Sequence, residues 1–254
     1  MDPIISVHDL HRSYGQVHAL RGVTFDVQRG EVFGLLGPNG AGKTTTLETI
    51  EGLRVVQRGK VLVDGIDVAK DPYAVRRRVG IQLQDANFFE SLNLIELLDL
   101  FAELYEKESH PRALLELVGL EGKARSRAKA LSGGQRKRFS IALALVNDPV
   151  AIFLDEPTSG LDPQARRRLW GLVDTLRERS LTVVLTTHYI EEAEALCDRV
   201  GIMDEGRLLV LDTPRALVQA LLDRGFHRDV EVVPATLEDV FLDLTGREIR
   251  DAAD

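Results

Sequence analysis

The sequence predicts an α/β domain with a mostly parallel sheet. Three observations carry this expectation: short β-rich runs alternate with helical patterns, a glycine-rich turn joins one such strand to one such helix, and an acidic pair ends a second apolar strand.

The opening departs from that alternation. Residues 4–7, 23–27 and 31–36 read as closely spaced strands, with 17–22 connecting the first two, which predicts an N-terminal antiparallel β section laid against the main sheet. Helices are expected over 43–52, 72–78, 94–105, 111–118, 134–146, 163–179, 190–196 and 214–222, and further strands over 61–63, 79–82, 151–154, 182–186, 200–203 and 208–211. From about 84 to 147 there is no strand pattern, and Leu94, Leu97, Leu98, Phe101 and Leu104 recur at helical spacing as one buried face. That region reads as a helical subdomain inserted into a domain spanning 1–222. Residues 223–254 read as a short C-terminal extension, with a strand at 230–233 and a small helix at 237–244 after Pro234.

At 254 residues, 44% hydrophobic and 28% charged, the composition is that of an ordinary globular protein. Apolar runs such as 208–211 fall far short of the ~18 residues a membrane helix needs. The first residues lack the basic region and apolar core of a secretory signal, so a cytoplasmic location is expected. A net charge of −8 disfavours unspecific attraction to nucleic acid, and the clusters at 76–78, 136–138 and 166–168 read as solvated helix faces. The one cysteine, Cys197, has no zinc-like partners and is expected to pack against the core.

The chemistry concentrates in three motifs. The loop Gly37-Pro38-Asn39-Gly40-Ala41-Gly42-Lys43-Thr44-Thr45 follows a strand and opens a helix, the context a phosphate-binding loop requires. Its glycines let successive N–H groups aim at phosphate oxygens, and the helix N-terminus adds partial positive charge. Lys43 is expected to reach the β- and γ-phosphates and Thr44 to offer its hydroxyl to Mg²⁺. Asp155 and Glu156 end the apolar run 151–154 at the carboxyl edge of a strand, where ligands of open α/β sheets bind. Asp155 is read as the acidic half of the Mg²⁺ site. Glu156 is read as a base for an attacking water, with a helix-start acid or a surface ion pair as the alternative. Ser132-Gly133-Gly134-Gln135 fits a capping box, and its two consecutive glycines also suit a second anion site at a helix start.

Taken in order, GPNGAGKTT, LSGGQ, FLDEP, SGLD and the histidine of LTTHYIEEAE resemble the ATP-binding subunit of an ABC transporter, over about residues 4–222. The resemblance implies a P-loop NTPase core that binds ATP and Mg²⁺. It further implies that two such domains, two copies or a copy and a homologous subunit, meet head to tail. Each ATP would then lie between one chain's phosphate loop and the other's Ser132–Gln135. Tyr14 matches the aromatic that stacks on adenine, with a core tyrosine as its alternative. Gln84 matches the glutamine that senses Mg²⁺ and water, with Gln82 as a nearby rival. His188 matches the histidine that bonds the γ-phosphate, and Asp162 the residue linking the two composite sites. The run after Gln135 is Arg-Lys-Arg where many members carry a middle glutamine, and Asp85 replaces a commoner Glu.

The stretch 235–246, together with HYIEEAEALCDRV and DEGRLLVLDTP, resembles bacterial ABC-2-type exporter subunits of the daunorubicin-resistance kind. This implies a separate transmembrane permease and attachment to the cytoplasmic face of the membrane through it. Phe88 and Phe89 are expected to form part of an apolar docking patch for that permease. An importer ATPase, or a soluble ABC ATPase without a membrane partner, remains the alternative. The long coiled coil of DNA-repair members and the second nucleotide domain of translation factors have no counterpart in the sequence.

Overall fold

Period-two alternation in the central strands explains the layering. In β3 (Val32–Leu36), Val32 and Leu36 enter one hydrophobic core while Phe33 and Leu35 enter another, and every residue is buried. β7 (Ala151–Asp155) and β8 (Thr182–Thr187) repeat this: Ile152, Leu154, Val183 and Leu185 face the first core, Phe153 and Val184 the second. A strand apolar on both faces belongs in the middle of a covered sheet. The computed structural model describes residues 2–82, 88–224 and 236–245.

Among these residues β3, β7 and β8 lie at the centre of a six-stranded sheet. It is completed by β6 (Val79–Gln82), β9 (Arg199–Asp204) and β10 (Arg207–Asp212), in the order β10-β9-β3-β8-β7-β6. All neighbours are parallel except the edge hairpin of β9 and β10. A four-stranded antiparallel sheet, β2-β1-β4-β5, is formed by β1 (Ile5–Tyr14), β2 (Val17–Val27), β4 (Arg58–Val63) and β5 (Ile66–Asp67). Between the two sheets lies the second core, where Phe25 stacks on Phe33 at 5.0 Å and α1 (Lys43–Ile50) contributes Leu47 and Ile50.

The other face of the six-stranded sheet is covered by helices. Three of them, α3 (Leu94–Leu104), α4 (Pro111–Leu117) and α5 (Gly133–Ala144), lie between β6 and β7 in the chain. The short α2 (Pro72–Arg78), which precedes β6, instead buries Val75 in the second core, between the sheets. Asn93 caps α3 in a reciprocal box with Glu96. α6 (Pro163–Glu178), α7 (Ile190–Leu196) and α8 (Pro214–Asp223) follow β7, β8 and β10. α9 (Leu237–Thr245) buries Leu237, Val240 and Phe241 in the same core, and Leu237 N donates to Glu194 Oε1 at 2.8 Å. Cys197 is buried at the end of α7, as its isolation in the sequence implied.

Two expectations need correction. The stretch 17–22 is no connection but the first half of β2, and the hairpin turns at Gly15 and Gln16. Register shifts between Val7 and Leu10, Leu10 and His11, and Arg12 and Ser13 break the period-two pattern there, so the polar half of the ribbon carries no alternation signal. Phe88 is not freely exposed: it packs against the main core, edge-on to Phe139 at 5.3 Å, whereas Phe89 is exposed. The strand expected at 230–233 lies outside the described residues.

Because the Phe25–Phe33 stack joins the two sheets, Phe33→Ala is expected to lower unfolding free energy by about 3–5 kcal/mol. Urea titration followed by circular dichroism measures this, and a loss below about 1 kcal/mol would place the inter-sheet core elsewhere.

Candidate functional site

The carboxyl ends of β3, β7 and β8 converge, and the loops leaving them carry the chemical groups. After β3 the chain turns through 37–42 into α1. Gly42 caps that helix in the left-handed region (φ 100°), and a side chain there would meet the Ala19 carbonyl at 2.7 Å, so only glycine fits. Lys43 is nearly buried and donates to the Gly37 and Pro38 carbonyls at 2.8 and 3.2 Å. Burial lowers its pKa, while the Glu156 and Asp155 carboxylates oppose that shift.

Asp155 closes β7. Its carboxylate accepts from Thr44 Oγ1 at 3.1 and 3.2 Å and from Thr186 Oγ1 on β8. Burial raises its pKa and these two hydroxyls pull it back down. Thr186 Oγ1 also accepts from Glu156 N–H at 3.0 Å, which supports Glu156 in a left-handed conformation (φ 44°). Such a conformation costs a residue with a Cβ about 1–2 kcal/mol. The result is that Glu156 Oε1 lies 3.5 Å from Lys43 Nζ and 3.3 Å from His188 Nδ1. The histidine contact is close but too poorly aligned for a hydrogen bond, leaving Nδ1 buried without a partner. Glu156 is nonetheless held below the ordinary carboxyl range, chiefly by His188 and then by Lys43, against its burial.

Lys43, Thr44, Glu156 and His188 border a cleft of about 800 Å³. Tyr14 stands on its rim, 39% exposed, with the guanidinium groups of Arg12 and Arg54 at 4.9 and 5.5 Å from its ring. The loop amides, Lys43 and the rim aromatic suit an anionic group joined to a flat ring system. The Thr44 hydroxyl and Asp155 carboxylate supply hard oxygen donors suited to Mg²⁺, with water and phosphate for the rest of its shell. The residues present therefore fit both groups.

Ser132–Gln135 are not brought to this cleft. They line a separate pocket of about 210 Å³ beside Asp162, and Gly160 borders both. The capping box forms, with Gln135 N donating to Ser132 Oγ at 3.4 Å and Ser132 N to Gln135 Oε1 at 3.0 Å. It left two glycines unexplained, and the structure separates them. A side chain on Gly134 would press on Ala165 at 2.9 Å, whereas at Gly133 it would meet open space. Asp162 caps α6, accepting from Gln164 and Ala165 N–H, both at 2.9 Å. Gln84 lies outside the described residues. Sequence reasoning missed Thr186, Arg54 and the buried Glu51 at the end of α1, since nothing local marks a residue whose partner is a distant strand end.

A phosphate loop facing an acidic strand end across a parallel sheet defines the class, the P-loop ATPases. Residues 20–159, more than half the chain, match the ABC transporter family, and the chain belongs to that family as an ATP-binding subunit, an ATPase that binds ATP and uses Mg²⁺. Nod factor export ATP-binding protein I of Ralstonia nicotianae is 35% identical over 308 residues, covering 98% of this chain and 96% of that protein. The linearmycin resistance ATP-binding protein LnrL of Bacillus subtilis is 34% identical over 244 residues, covering 94% and 78% respectively. Among solved structures, an ATP-binding subunit of an ABC transporter superposes with a TM-score of 0.81 at 31% identity, over 95% of this chain and 99% of that one. A dimeric post-hydrolysis cassette bound to ADP and Pi gives 0.74 at 27% identity, over 82% and 98%.

The Glu51 carboxyl is pushed up from its ordinary 4.5 to about 8 by burial, and next by the Asp155 and Glu48 charges. Between those two values the folded chain holds a proton that the unfolded chain has lost, so stability falls as pH rises through this window. Glu51→Gln removes that slope. Denaturant titrations at about pH 5, 7 and 9 should show the variant gaining a few kcal/mol over the parent toward high pH. Parallel pH profiles for the two chains would contradict this.

Proposed function

We propose that this chain hydrolyses ATP as one half of a two-chain assembly and powers export through a separate membrane-spanning permease. The observation that carries the hydrolytic reading is Glu156, constrained beside Lys43 and His188 at the mouth of the phosphate loop. In this reading the loop amides of 37–45 and Lys43 bind the phosphates, Tyr14 stacks on adenine, and Thr44 and Asp155 hold Mg²⁺, with Gln84 completing that set. The ion, when bound, supplies neutralising charge to the phosphate oxygens. Glu156 accepts a proton from the attacking water as the new O–P bond forms and the bond from the γ-phosphorus to the bridging oxygen breaks, releasing ADP and phosphate. His188 donates to a γ-phosphate oxygen. Its Nδ1 already faces Glu156, which leaves the other ring nitrogen for that bond.

Ser132, Gly133, Gly134 and Gln135 serve the ATP of the partner chain, and Asp162 links the two sites. Support comes from their lining a pocket other than this chain's own cleft, from the open face at Gly133, and from the dimeric state of a solved relative. The domain division at 1–222 and 223–254, with 84–147 as a helical subdomain, belongs to the same reading. Export is favoured because relatives matching over nearly the whole chain are named for Nod factor export and linearmycin resistance. Among the described residues no helix is long and apolar enough to cross a membrane, which fits a permease on another polypeptide. Exposed Phe89 offers that permease an apolar contact, and the chain would work on the cytoplasmic face of the membrane.

Glu156→Gln keeps the side-chain shape and removes the proton acceptor. Steady-state phosphate release should fall by about 10²–10⁴-fold while ATP binding survives. Hydrolysis at the parental rate would end the general-base assignment.

A further inference from the structure

Glu192 is a carboxylate with no part in the proposed reaction, yet it is wholly buried, on the first turn of α7 just beyond His188. Its Oε1 accepts from Trp170 Nε1 on α6 at 3.1 Å. Its Oε2 is buried without a hydrogen bond of good geometry, and so is Thr158 Oγ1. Burial raises the pKa of this carboxyl. The Thr187 and Thr158 hydroxyls, the Trp170 indole and the Arg166 charge all act in the other direction, as near neighbours of the carboxyl.

The positions of these neighbours matter. Thr158 is two residues past Glu156, and Thr187 directly precedes His188 and accepts from Tyr189 N–H at 2.9 Å. Trp170 lies about two turns along α6 from its capping residue Asp162. Arg166, between them on that helix, stacks on Tyr189 at 4.4 Å. Leucine or methionine would fill the same core volume without the desolvation penalty that a buried carboxyl carries. Packing alone therefore does not account for the residue.

We propose that Glu192 is a positioning residue that ties the Glu156 loop to the His188 loop, with Trp170 coupling α6 to that tie. The inference rests on the roles given above to Glu156 and His188. It places one carboxyl behind both reacting side chains, where it sets their separation without touching ATP. A displacement of α6 at its Asp162 end would reach both loops through this group.

A double-mutant cycle on the full chain tests it, using steady-state hydrolysis and equilibrium ATP binding. Glu192→Leu is expected to lower kcat about ten- to a hundredfold, with the ATP dissociation constant unchanged within about threefold. Glu192→Gln keeps an acceptor for Trp170 and gives the threonines a donor, so it should restore most of the rate. Thr158→Val should slow turnover by itself but add nothing in the Glu192→Leu background, because the tie is already lost. Trp170 is the only tryptophan in the chain, so its emission reports directly on the contact. If circular dichroism shows that Glu192→Leu does not fold, Trp170→Phe replaces it in the cycle under the same criteria. Parental kcat in the folded variant, or two effects that multiply independently, overturns the proposal. Glu156→Gln measured in parallel separates the two readings. If it stays active, the base assignment fails; if it is inactive while Glu192→Leu stays active, the positioning role alone fails.

Discussion

The buried carboxylate of Asp155 is the constraint on which the site is built. A carboxylate at the end of an apolar strand is costly to desolvate unless donors replace water. Here the donors are Thr44, on the first turn of α1, and Thr186, near the end of β8. Satisfying one charge therefore fixes the phosphate loop, the acidic strand end and the histidine-bearing strand relative to one another. Thr186 then holds the backbone of Glu156 as well, so the next residue inherits its position from the same hydroxyl.

The layering serves this point. Because β3, β7 and β8 are apolar on both faces, they occupy the middle of the sheet, and their carboxyl ends emerge together at one edge. α1 fills the space between the two sheets with Leu47 and Ile50 while its N-terminus stays at the cleft. The helices on the far face bury the same strands and carry Ser132–Gln135 and Asp162 to a neighbouring pocket. One chain thus presents the cleft at the phosphate loop and, beside it, a second polar surface that its own cleft does not use.

Much of this was legible in the sequence, for an identifiable reason. The phosphate loop, the capping box at Ser132 and the acidic strand end are local patterns, written in consecutive residues whose geometry follows from glycine, capping and strand chemistry. The parallel core was legible because its central strands carry unbroken apolar runs, as at 151–154 and 183–185. The outer half of the β1–β2 ribbon was not, since bulges erase alternation among polar residues. Nor were Thr186, Glu51 and Glu192, whose roles depend on partners from distant segments: β8 reaching β7, α1 facing Asp155, α7 meeting α6. The docking of α9 was similarly hidden, because a short amphipathic helix does not announce which core it joins.

In the proposed head-to-tail pair, each ATP site is complete only when the Ser132–Gln135 segment of the second chain closes over it. The most direct test is the mass of the Glu156→Gln chain by light scattering in Mg-ATP, where hydrolysis no longer clears the bound nucleotide. The expected result is a two-chain mass that reverts to one chain on adding Ser132→Arg, which puts a bulky cation at the segment's first residue. A two-chain species indifferent to Ser132→Arg, or a single chain throughout, would contradict it.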